Sequence, residues 1–213
     1  MGIDFDKSRW ERVKENNRAW WAGELKRPLI YIALGGRDPG RPQPELPAYH
    51  FTAFYDLSVP AEAIVDRWEY NLSCQRYLGD GYPQVWPNFG PGVAAAFMGA
   101  DLLSSIEAGT VWFHPKQDLE MADIHLEYQP GNVWLQRVAD IMKAAVERFE
   151  GLVQVGMTDL GGNLDILSTF RPSDKLLLDL YDCPDEVNRV NWEAHELWWR
   201  FFDELTSVLQ PAN

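Results

Sequence analysis

The chain has 213 residues, 46% of them hydrophobic, enough for one packed core and few for two, so it reads as a single domain. Its 32 Asp and Glu against 19 Lys and Arg leave a formal charge of −13; a phosphate backbone or an anionic leaflet is repelled over most of such a surface, and neither nucleic acid nor a membrane is an expected partner. Cys74 and Cys183 form no Cys-x-x-Cys pair or Cys/His cluster, the first residues lack a secretory signal, and no apolar run approaches the ~20 residues of a membrane helix, so a cytoplasmic setting is expected.

Residues from about Lys7 to Leu25 have the spacing of an amphipathic helix through Trp10, Val13, Trp20 and Trp21, with Asp6 placed to cap it. Pro28 to Leu34 is a short β-rich run closed by Gly35-Gly36 and fits a strand buried on both faces. The Pro-rich segment Asp38 to Pro47 reads as a loop. A second helix is expected after Ser58, with Pro60 in its first turn and Ile64, Trp68, Leu72 and Tyr77 inward, ending near Gly79. Pro83 to Asn88 follows as a strand that exits into Phe89-Gly90-Pro91-Gly92, and Val93 to Met98 makes a short helix. Thr110 to Phe113 is a brief strand before His114-Pro115. A clear helical stripe runs from Val133 through Val138, Ile141, Met142 and Ala145 to Phe149, where Gly151 ends it. Leu152 to Met157 is the next apolar strand, and Thr158 to Asn163 turns from it into a helix through Leu167. Two helices close the chain, one around Lys175 to Leu180 and a long one after Pro184.

Strands separated by helices long enough to cross back over a sheet imply parallel βα units, buried on both faces. A closed eight-stranded barrel takes about 250 residues, so the expected fold is an α/β partial (β/α)8 barrel of about four parallel strands with flanking helices.

Parallel sheets hold ligands at the carboxyl ends of their strands, which selects the loops starting at Gly35, Asn88, His114 and Thr158. In the last of these, Gly161 and Gly162 let the backbone approach a ligand, and the helix start at Asn163 offers amides to a carboxylate. Asp159 or Asn163 serves equally well as a plain helix cap. Asp165, set among Leu164, Ile166 and Leu167, needs a partner or a purpose. Trp86 and Asn88 offer an aromatic face and an amide to a flat ligand, although a tight buried turn explains them nearly as well. Arg37 is a candidate for pairing an anionic substrate, against the blander reading of an exposed loop arginine. His114 and His50 are secondary acid-base candidates, since a histidine without an identifiable partner is more often structural.

The segments Pro28 to Arg37, Val85 to Met98 and Leu152 to Leu167, followed by Leu177-Leu178-Asp179-Leu180-Tyr181-Asp182-Cys183-Pro184-Asp185-Glu186-Val187, resemble the uroporphyrinogen decarboxylase-like superfamily in order and spacing. The resemblance covers that family's N-terminal half, implying that the C-terminal half of a barrel is absent and that open barrel edges invite self-association. It implies a decarboxylase or lyase acting without a cofactor on a carboxylate-bearing small molecule. Gly36-Arg37 is similar to the family's arginine-bearing glycine loop, and Asn88 stands near the place of its aspartate. A neutral amide stabilises a protonated pyrrole far less than a carboxylate does, so a substrate other than the tetrapyrrole is implied, with Asp159 or Asp165 supplying the carboxylate. The superfamily also implies two alternatives. One is a methyltransferase working with a corrinoid protein and with zinc held in the full-length protein. The other is a fragment or ligand-binding remnant without catalysis.

Overall fold

The computed structural model describes residues 2–210. Asp6 opens the first helix, its carboxylate accepting from the Arg9 amide at 2.9 Å, and α1 runs Lys7–Trp21 with Trp10 and Val13 buried. The indole N–H of Trp10 donates to the Leu152 carbonyl at 2.8 Å, tying this helix to the far half of the chain. The other elements are β1 (Tyr31–Leu34), α2 (Ala61–Ser73), β2 (Arg76–Gly79), β3 (Gln84–Val85), α3 (Val93–Phe97), β4 (Asp101–Ser105), β5 (Thr110–His114), α4 (Val133–Phe149), β6 (Gln154–Val155), α5 (Asn163–Phe170), α6 (Ser173–Asp182) and α7 (Pro184–Leu209). No helix among the described residues is long and apolar enough to cross a membrane.

The chain is thus mixed α/β, but its strands do not make the four-stranded parallel sheet that the crossover helices suggest. Among the described residues, β3 and β6 pair in parallel, Gln84 beside Gln154 and Val85 beside Val155. β1 pairs antiparallel with β2, from Tyr31 against Gly79 to Leu34 against Arg76. β4 and β5 form an antiparallel hairpin, from Asp101 against His114 to Ser105 against Thr110.

Local chemistry explains both departures. The second helix stops at Ser73, and in Arg76–Gly79 only Tyr77 is buried; Tyr77 lies five residues beyond Leu72, off the helical stripe. In the hairpin, Ala108 donates to the Ser105 hydroxyl at 3.1 Å and Gly109 takes φ 64°, closing a turn far shorter than the dozen or more residues a parallel crossover needs. β1 is exposed along its whole length rather than buried on both faces, and Ile30, Ile32, Leu34 and their neighbour Leu78 face solvent.

The core lies among α2, α3, α4 and α7. Ile64, Val138, Ile141, Met142, Val190, Phe201 and Leu205 are fully buried there, and Phe97 meets Phe201 edge to face at 5.2 Å. Each such side chain contributes about 1.5–3 kcal/mol through the apolar area it removes from water.

A polar clamp fixes the N-terminal segment. The buried carboxylate of Asp80 accepts from Arg27 Nη1 and Nη2 at 2.6 and 2.8 Å, from the Ile30 amide at 2.9 Å and from Asn16 Nδ2 at 2.8 Å. The Arg27 bonds, aided by those from Ile30 and Asn16, overcome desolvation and hold this acid well below the usual carboxylate range. An acid depressed in the folded state stabilises above its unfolded value of about 3.9 and loses that contribution as pH falls through the folded value. Asp80→Asn is therefore expected to cost about 2 kcal/mol at pH 7. In urea titrations the gap from wild type stays constant down to about pH 4 and closes below it; a gap independent of pH between 5 and 2 refutes the assignment.

Candidate active site

Because β3 and β6 run parallel, the loops that leave them emerge side by side. The Thr158 hydroxyl donates to the Pro87 carbonyl at 2.8 Å, and Trp198 Nε1 donates to the Gly161 carbonyl at 3.1 Å. Gly161 has φ 63°, and a Cβ there would collide with the Pro91 carbonyl oxygen, so glycine is required both for backbone conformation and for close approach. The β4–β5 hairpin is seated on the same place, with the Phe113 ring where a Cβ on Gly92 would stand.

A cleft of about 470 Å³ opens between this hairpin and α5, floored by Pro91 and Gly92. His114 and Trp112 border it from β5, and Asp165, Ser168 and Thr169 border it from α5. The structure therefore brings two predicted residues, His114 and Asp165, to one cavity. Ser168 and Thr169 carry no motif of their own, but they stand three and four residues after Asp165 and so share its helix face, the signal by which the sequence marks them. Their hydroxyls donate to the Asp165 carbonyl at 2.9 and 3.1 Å.

The remaining candidates lie elsewhere or are spoken for. Asn88 is buried, with its Nδ2 donating to the His50 carbonyl at 3.2 Å and its Oδ1 accepting from the Gly90 amide at 3.1 Å, which makes it a turn former. The imidazole of His50 sits edge-on to Phe51, with 4.9 Å between ring centroids. Asp159 accepts from the Gly161 amide at 3.0 Å, and Asp165 from the Gly162 amide at 3.0 Å. Those two amides, expected to receive an anionic ligand, are thus occupied by the chain's own carboxylates. Asn163 is the first residue of α5 and partly buried. Arg37 donates to the Ser73 carbonyl at 2.6 Å and the Gly2 carbonyl at 3.0 Å, pinning its loop to the end of α2. Trp86 lies beside Gly156, partly exposed, next to the parallel pair.

The wall below the cleft is braced by Arg171, which directly precedes the cleft residues Pro172 and Ser173. Its guanidinium is buried and donates to Asp179 through Nε at 2.5 Å, to Glu120 through Nη2 at 2.7 Å and to the Leu119 carbonyl through Nη1 at 2.8 Å. The Asp179 bond raises the guanidinium above its ordinary value, desolvation notwithstanding. This arginine is consumed structurally and is not offered to a substrate.

Among the described residues no three His, Cys, Asp or Glu side chains gather where they could hold a metal ion. Compared with known proteins, the chain matches no family model, no curated protein and no solved structure.

Proposed function

We propose that this chain is a portion of a uroporphyrinogen decarboxylase-like barrel and that it acts as a carbon–carbon lyase on a carboxylated small molecule held in the cleft, with His114 and Asp165 as its acid-base groups. The observation that carries this reading is that His114 from β5 and Asp165 from α5 line one cavity beside the loop that leaves β3. Barrel enzymes keep their chemistry at such strand ends. The architecture adds support, since β3 and β6 are parallel and β6 packs on α4.

Decarboxylation breaks the bond to the carboxyl carbon, releases carbon dioxide and leaves the bonding pair on the substrate carbon, where a proton must arrive. In the proposed step His114 donates that proton and recovers it from water, and Asp165 lines the same cleft. Asn88 and Arg37 have no part in the step, being bonded to the backbone. His114→Gln and Asp165→Asn are expected to lower kcat/KM for carbon dioxide release from a panel of pyrrole and aliphatic carboxylates by about 100-fold each, with an unchanged thermal midpoint for His114→Gln and a small loss for Asp165→Asn, whose carboxylate also accepts from the Gly162 amide. Rates equal to wild type would remove both residues from the chemistry. Ligand-induced stabilisation with no release of carbon dioxide would identify a binding protein instead.

A further inference from the structure

A second cavity of about 210 Å³ adjoins the cleft. Pro115 borders both spaces, and Phe170, which borders the second, follows Thr169 of the first. Its polar lining differs in character from most of this acidic protein: Lys116, Gln117 and His125 share it with Asp123, while Glu193 Oε1 stands 3.8 Å from His125 Nδ1. Lys116 enters no ion pair among the described residues, whereas neighbouring Lys175 is bonded to Asp118 at 2.5 Å. His125 is oriented from behind. Arg189 Nη1 lies 3.1 Å from its Nδ1, and a guanidinium only donates, so Nδ1 accepts and the proton of the neutral ring resides on Nε2. Arg189 is itself fixed by Glu186 at 2.8 Å, Glu193 at 2.6 Å and the Ile124 carbonyl at 3.0 Å.

From this we infer that the second cavity is a carboxylate subsite, in which Lys116 and the Nε2–H of His125 hold an acidic arm of the molecule whose other end lies in the cleft. The cavity has room for a short carboxylate-bearing arm, and a hydrogen bond from an ammonium to a carboxylate is charge-assisted and stronger than a neutral one. The inference rests on the cleft being the reaction site and adds what the cleft lacks, since Arg171 and the Gly161 and Gly162 amides are already engaged.

The test uses the full chain, ¹⁵N-labelled, titrated with glutarate and with its uncharged counterpart glutaramide. Glutarate is expected to shift the Gly99 and His125 amides, and Lys116→Ala and His125→Gln are each expected to weaken it at least tenfold while leaving glutaramide unaffected. Equal binding of the two probes, or shifts confined to other surfaces, would overturn the subsite. Glutarate binding unchanged in Lys116→Ala, together with lost turnover in His114→Gln, would remove the subsite and keep the cleft. The reverse pattern would keep the subsite and remove the cleft.

Discussion

Asp179→Ala is expected to destabilise the fold by about 3–5 kcal/mol, because it strands a buried guanidinium whose desolvation is no longer offset. The Asp179 carboxylate is itself buried and receives Arg171 through both Nε and Nη2. Glu120 remains as a partner, but it is largely exposed and holds a single nitrogen. Replacing both members with apolar residues of similar volume, Arg171→Met with Asp179→Leu, is expected to recover most of the loss, since a buried ion pair seldom outperforms good apolar packing. Urea unfolding of Asp179→Ala and of the double variant decides the matter. A double variant as unstable as Asp179→Ala would show that the pair does more than neutralise itself.

Gly161→Ala carries the second large effect. Placing an L side chain at φ 63° costs about 1–2 kcal/mol in any setting. Here the new methyl also meets the Pro91 carbonyl oxygen, which is backbone and cannot swing aside. The loops must part, and the Thr158–Pro87 and Trp198–Gly161 hydrogen bonds are put at risk, each worth about 1 kcal/mol. Gly131 is the internal control, with φ 76° and open space around it, so Gly131→Ala bears the conformational cost alone. Chemical denaturation is expected to show Gly161→Ala losing at least about 2 kcal/mol more than Gly131→Ala; similar losses would mean that the two loops are not locked together.

Much of the helical content is legible in the sequence because it is written in periodicity. The stripe from Val133 to Phe149 is a helix over those same residues, Asp6 caps α1, and Pro184 begins the long final helix. Strand partners are less legible, since a run such as Tyr31–Leu34 or Thr110–Phe113 shows β character without naming its neighbour. β4 escaped notice because Asp101-Leu102-Leu103-Ser104-Ser105 carries no β-branched residue, and its identity as a strand comes from pairing with β5. The candidate site divides along the same line. Asp165 and His114 were chosen as chemical types at strand exits, and the cleft contains both. Asn88 and Arg37 stand at strand exits too, yet they lie outside the cleft and their hydrogen bonds turn back into the chain, as one from the Gly162 amide to Asp165 also does, which residue type alone does not reveal.

The ribbon of β1 and β2 leaves Ile30, Ile32, Leu34 and Leu78 in water, and β1 has no proline and no charge among its four residues. Bare edges of that kind recruit one another. The surplus of 13 negative charges thus gains a colloidal duty: it keeps copies of the chain apart in dilute buffer. That protection weakens as added ions shrink the reach of the repulsion to about 10 Å near 0.1 M salt.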